Sequence, residues 1–215
     1  MVLRPGELQL TRGESVRDTA LVLSRHVAAI GLRTGSEATL AELAEHATVP
    51  VVNMLSPEHH PCQALADLLT LREAFDTLAG RTVAYVGDGN NVARSLAILG
   101  GLAGVEVAVA APEGFQLEDG LGAQLTSDPA EAVAGADAVY TDVWVSMSDA
   151  EEQAAARREA LAPYRLDETL LQRAAPDAFA LHCLPAHPGE ETTTSTPAAA
   201  PTIASERATL LPSPT

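Results

Sequence analysis

His182, Cys183, Leu184 and Pro185 set an imidazole, a thiol and a rigid proline side by side at the end of the apolar run "AFALHCLP". Four other places carry comparable chemistry. "YTDVWVSM" ends an apolar run on Asp142, followed by Ser146 and Met147, and an acid there could meet a cationic substrate. "YVGDGNNVARSL" offers Asn90 or Asn91 at a glycine-rich turn. In "HHPCQALADLL", His60 and Gln63 stand three residues apart at a helix start, where they share a face beside the positive end of the helix dipole. An imidazole, an amide and unpaired backbone N–H groups can hold an anion and polarise a carbonyl. Arg33 closes "AAIGLRT" and presents a fork suited to a phosphate or carbonyl oxygen. Each has a blander alternative: a capping turn with solvated histidines, an N-cap at Asp142, a Cys183 that is only a small buried hydrophobe. Zinc on His59, His60 and Cys62 has no paired ligand spacing behind it. The glycine-rich turn lacks the third glycine of a dinucleotide fingerprint, and "VEVAVAAP" has no acid at its end, only Glu113 shortly after.

The elements that must position these residues alternate along the chain. "ELQL", "AAIGLRT" and "PVVNML" read as strands, with helices in "SVRDTALVLSRHV", capped by Ser15 or Thr11, and "SEATLAELAEHA", opened by Ser36. "CQALADLLTLREAF" is a long helix with Pro61 in its first turn. A second series follows: strands in "RTVAYVGD", "VEVAVAAP", "DAVYTDVW" and "AFALHCLP", helices in "NNVARSLAILGGLAG", "DPAEAVAGA", "DAEEQAAARREALAPY" and "DETLLQRAA". Apolar runs alternating with helices predict an α/β fold of two doubly wound parallel-sheet units. Residues 1–76 form a partial first domain with its linking helix, 77–190 the second domain and 191–215 a disordered Thr/Ala/Pro-rich tail. Arg33, Asn91, Asp142 and Cys183 all fall just past strand C-termini, which face one edge in a parallel sheet. With His60 and Gln63 at the helix between the units, six polar side chains are expected at one cleft.

The composition narrows the partners. The chain has 215 residues, 47% hydrophobic, enough for a substantial core. A formal charge of -16 with 13 scattered basic residues argues against nucleic acid and anionic membrane, which need clustered Lys and Arg. No apolar run approaches the roughly 20 residues of a membrane span, the N-terminus has no signal-peptide pattern, and two distant cysteines make no disulfide framework. A cytoplasmic protein is expected.

"HPCQALADLLTLRE", "VGDGNNVARSL", "TDVWVSM" and "HCLPAHPGEE" resemble, in order and spacing, ornithine carbamoyltransferases of the aspartate/ornithine carbamoyltransferase family. "GESVRDTALVLSRHVAAIGLRT" resembles the middle of that family's first domain. The resemblance implies a partial carbamoyl-phosphate domain, a Rossmann-like ornithine domain, and transfer of a carbamoyl group from carbamoyl phosphate to L-ornithine, giving citrulline and phosphate. It implies no metal and no cofactor. Arg33, His60 and Gln63 would hold carbamoyl phosphate, with Arg33 and His60 polarising its carbonyl and the Leu184 backbone alongside. Asn91, Asp142, Ser146 and Met147 would bind ornithine, and Cys183 would orient the attacking amine and assist its deprotonation. The family's Ser-x-Arg-Thr-Arg segment does not precede "GELQLTRGES", and Pro188 stands where the family's loop has arginine. The family's closing helix gives way to the Thr/Ala/Pro tail. Reduced turnover and a doubtful homotrimer are therefore expected, with a non-catalytic, ornithine-binding remnant as the alternative.

Overall fold

The structure, a computed structural model, describes residues 2–4, 6–145 and 151–193. It divides into two compact units, Met1–Cys62 and Gln63–Thr215.

In the first unit, Ser15 starts α1 (Val16–Leu23) by accepting the Asp18 N–H, and Ser36 starts α2 (Glu37–His46) by accepting that of Thr39. Two strands, β1 (Ile30–Arg33) and β2 (Val51–Leu55), pair in parallel from Ile30 opposite Val51 to Arg33 opposite Leu55. Their core is small, with Ala20, Ile30 and Leu43 as its buried members. The expected strand at "ELQL" is not one: Gln9–Arg12 is a 3-10 turn. Gly13, at φ 98°, adopts the left-handed backbone that lets its N–H return to the Gln9 carbonyl. The segment therefore satisfies itself locally, and among the described residues this sheet has two strands instead of three.

α3 (Pro61–Phe75) begins at the division and runs into the second unit. There β3 (Thr82–Val86), β4 (Glu106–Ala110), β5 (Gln124–Thr126), β6 (Ala138–Thr141) and β7 (Phe179–His182) form one parallel sheet in the order β5-β4-β3-β6-β7. The crossovers carry α4 (Asn91–Ala103), α5 (Pro129–Val133), α6 (Glu151–Leu161) and the short α7 (Glu168–Leu171). All four residues of β6 and the last four of β3 are buried, as strands covered on both faces must be. One face packs Leu71, Tyr85, Leu96, Val107 and Tyr140; the other packs Val86, Val133, Val139, Tyr164 and Leu170. α4 approaches β4 closely at Gly100, where a Cβ would lie 2.8 Å from the Val107 side chain. β5, only three residues long, was not expected from the sequence.

Strand order reverses at β3, with β4 on one side and β6 on the other. Open α/β sheets bind ligands beyond the C-terminal ends of the strands at such a switch point. The segments after β3, β6 and β7 are the ones that hold Asn90, Asp142 and Cys183.

Candidate active site

In the first unit, Arg33 ends β1 and is exposed, and the chain after β2 leads to the half-buried His60. The loop between is shaped by local bonds: Ser56 N–H donates to the His59 carbonyl at 2.8 Å and the Asn53 amide to the Ser56 hydroxyl at 2.9 Å. Arg33 and this loop follow the C-terminal ends of two paired parallel strands, so they occupy the same edge of that small sheet. Cys62 is exposed and free.

The second unit builds a tighter arrangement. Asp142, directly after β6, is 5% exposed. The Asn90 amide donates to its Oδ2 at 2.8 Å and the Cys183 thiol to its Oδ1 at 2.7 Å. Both donors are neutral, and among the described residues Asp142 has no cationic partner. Asn90 is itself fixed as the N-cap of α4: its Oδ1 accepts from Val92 and Ala93 N–H and from the Tyr85 hydroxyl at 3.2 Å. The residue that meets Asp142 is thus Asn90; Asn91 is the first, half-buried residue of α4. Ser146 and Met147 lie outside the described residues.

Three groups beside Asp142 are held in their neutral, protonated forms. Burial, then the Asp142 carboxylate, pushes the Cys183 thiol far above its ordinary value, so at neutral pH it is a donor. Burial and Asp142 likewise raise the Tyr85 hydroxyl, and burial and Asp67 raise that of Tyr140, whose ring stacks on Tyr85 at 5.5 Å. A buried carboxylate with only neutral donors is under-compensated.

Two further devices hold this edge. Arg157 on α6 donates from Nε to the Trp144 carbonyl at 2.8 Å, pairs with Asp88 in the turn after β3, and lies over the Phe115 ring at 5.1 Å. One guanidinium thereby ties the β3 turn to the segment that carries Asp142. After β7, Leu184 N–H donates to His182 Nδ1 at 2.8 Å, which leaves Nε2 as the protonated nitrogen facing Glu191 Oε1 at 3.2 Å. Glu191, 0% exposed, also accepts the His187 N–H. Burial works against its charge, but the bonds from His182 and His187 outweigh it and hold the carboxyl below its usual value. Leu184, at φ 51°, commits its N–H to His182.

Donor atoms of Asp142, His182 and Cys183 lie within 4.8 Å of one another, as do those of Glu37, Glu58 and His59. In the first group the thiol is protonated and hydrogen-bonded to the carboxylate, so the atoms form a hydrogen-bond cluster. The glycine-rich turn also has a structural occupation: Gly89 N–H bonds the Phe115 carbonyl at 2.7 Å, and a Cβ there would sit 2.5 Å from Leu117 N. Its glycine serves a close approach of backbone to backbone.

The sequence reading placed Asp142 and Cys183 at strand ends and offered Asn90 or Asn91 at the turn after β3, but missed Asp67, Tyr140, the Arg157 tie and the Glu191 anchor. Two of these had a signal. Asp67 interrupts the apolar spacing of "CQALADLLTLREAF", and Glu191 closes the acidic pair after the "HCLP" loop.

Residues 1–73 match the carbamoyl-phosphate-binding domain of aspartate/ornithine carbamoyltransferases, and residues 79–208 match the Asp/Orn binding domain of the same family. An ornithine carbamoyltransferase of Acidothermus cellulolyticus is 53% identical over 200 residues, which are 87% of this chain and 64% of that protein. One from Methanoculleus marisnigri is 49% identical over 202 residues, 90% of this chain and 65% of its own. The crystal structure of the Thermus thermophilus enzyme superposes with a TM-score of 0.85 at 43% identity, over 95% of this chain and 70% of that one. The solved structure of the ornithine carbamoyltransferase from Pyrococcus furiosus gives 0.83 at 46% identity, over 88% of this chain and 64% of that one. The chain thus spans just under two thirds of the length of these curated relatives.

Proposed function

Because the chain belongs to the aspartate/ornithine carbamoyltransferase family, we propose that it serves carbamoyl transfer from carbamoyl phosphate to L-ornithine, giving citrulline and phosphate. The single observation that carries this reading is the buried, neutrally bonded Asp142. An ammonium group of ornithine supplies the cation that this carboxylate lacks. Asn90 holds Asp142 in place, Asn91 adds an amide at the first turn of α4, and Ser146 and Met147 complete the amino-acid site.

Carbamoyl phosphate is held by Arg33, His60 and Gln63 and by the Leu184 carbonyl, with Arg33 and His60 on the carbamoyl oxygen. Fixed donors there stabilise the oxyanion that develops as the amine attacks. The nucleophile is the neutral side-chain amine of ornithine. Its nitrogen bonds the carbamoyl carbon, the bond to the bridging oxygen breaks, and phosphate departs with one proton from that nitrogen. Cys183, a thiol whose S–H donates a hydrogen bond to Asp142, presents its sulfur lone pairs to an amine N–H and so orients the nucleophile. Residues 1–76 serve as the carbamoyl-phosphate domain and 77–190 as the ornithine domain. A homotrimer is the assembly expected of the family, and the cytoplasm is the expected compartment.

Citrulline formation by the purified protein, measured with both substrates, tests the proposal. Ornithine-dependent citrulline that falls by about a hundredfold in Cys183→Ala supports it, a loss in the range of a removed positioning group. Aspartate used as well as ornithine would contradict the assignment of substrate.

A further inference from the structure

Asp67 lies on α3 one helical turn beyond Gln63 and is 5% exposed. Gln63 Nε2 donates to its Oδ1 at 2.9 Å, the one side-chain hydrogen bond of Gln63 among the described residues. The other oxygen, Oδ2, is buried without a partner, and so is the Tyr140 hydroxyl. The hydroxyl is near enough to act on the carboxyl although the two do not meet at hydrogen-bonding geometry. Among the described residues, the polar and titratable groups that face Asp67 are Gln63 from its own helix, Tyr140 from β6, Asp142 after β6 and Cys183 after β7, and none is cationic. Burial raises its pKa to about 7.

We propose that Asp67 is a positioning residue that locks the Gln63 amide with its carbonyl oxygen free for the ligand, so that the site selects a carbamoyl NH2 over a carboxylate. This rests on the role proposed above for Gln63. The reason is the donor and acceptor inventory of the two groups. An ionised carboxylate only accepts, so it dictates that Gln63 turns its NH2, not its oxygen, toward Asp67. With a proton on Oδ2, turned to the Tyr140 oxygen, Oδ1 still accepts, and the orientation of the amide is the same. Gln63 Oε1 is then the acceptor left for a ligand. Carbamoyl phosphate carries two N–H donors on its carbonyl carbon; an acyl phosphate or a carboxylate analogue carries none. A site built to bond a substrate N–H rejects the analogue that lacks it, because the acceptor that the bound ligand covers is left unpaired. A Gln63 free to flip would present N–H to either ligand and lose that preference.

The test compares binding of phosphonoacetamide, carbamoyl phosphate with its bridging oxygen replaced by methylene, and phosphonoacetate, its carboxylate counterpart. Calorimetric titration of the purified protein should show a preference for the amide. Asp67→Ala should shrink that preference by about tenfold or more. Asp67→Asn should restore it, its carbonyl accepting from Gln63 while its amide meets the Tyr140 oxygen. Asp67→Ser, too short to reach Gln63 yet able to hydrate the space, reads the same loss should Asp67→Ala not fold. A merely structural role would weaken both ligands together and leave their ratio unchanged, which overturns the inference. Gln63→Ala separates the two layers. If it abolishes the preference while Asp67→Ala and Asp67→Ser retain it, the inference falls and the Gln63 assignment stands; if Gln63→Ala also retains it, the Gln63 assignment itself falls.

Discussion

The two units treat their polar residues in opposite ways. Arg33 sits exposed on a two-stranded sheet whose core rests on Ala20, Ile30 and Leu43. Asp142 is buried at the switch point of a five-stranded sheet, gripped by Asn90 and Cys183, while Arg157 ties down the segment that follows it. The difference teaches where preorganisation comes from. A carboxylate can be kept buried and ready only where a deep core fixes its donors; an exposed arginine on a thin sheet is placed by its ligand as much as by its fold. The second unit should therefore be the stable one, and its site should exist before substrate arrives.

The largest test of that contrast is in the core. Leu96→Ala, at 0% exposure between α4 and the sheet, should cost about 2–5 kcal/mol in urea denaturation. Leu43→Ala removes the same atoms from the smaller cluster and should fall at the low end of that range, near 2 kcal/mol, because a thin core relaxes around the gap. Equal losses would erase the distinction between the units.

Next comes pH. The folded chain holds the Asp67 proton more tightly than the unfolded chain, with a pKa of about 7 against 3.8. Stability should therefore fall as pH rises from about 4 to about 7 and level off above, by up to about 4 kcal/mol from this group alone. In Asp67→Asn this slope should vanish, so the variant gains on the parent with rising pH. Thermal melts across the window check it, and parallel curves for the two proteins would mean Asp67 is not buried as described.

Glu191 should show the opposite slope and a smaller effect. Its carboxyl titrates below the usual value, so its contribution is present at neutral pH and lost as pH falls through the lowered folded pKa. Glu191→Gln should cost about 1–3 kcal/mol at pH 7, the range for breaking a buried charged hydrogen bond, and should flatten the acid limb of the stability curve.

How legible all this was in the sequence depended on the scale of the signal. β3, β4, β6 and β7 are apolar runs bounded by turns, and their parallel pairing places their C-terminal ends on one edge, so Asp142 and Cys183 could be put together without coordinates. "ELQL" alternates like a strand, but alternation is only a capacity to pair, and Gly13 instead closes that segment on itself. β5 is too short for any period to show. At Asn90 and Asn91 the residue type was right, but which asparagine turns to Asp142 depends on which one caps the helix, a one-residue matter that pattern does not fix. Asp67 shows in sequence as an acid on an apolar stripe; its bond to Gln63 follows from the i, i+4 spacing, its unpaired second oxygen only from packing.

The most direct measurement of the central claim is calorimetric titration of the purified protein with L-ornithine, with and without phosphonoacetamide, for the parent and Asp142→Asn. A buried carboxylate awaiting a cation predicts saturable binding that weakens by roughly a hundredfold when the charge alone is removed, a loss of about 2.7 kcal/mol. Ornithine bound equally well by Asp142→Asn would contradict it.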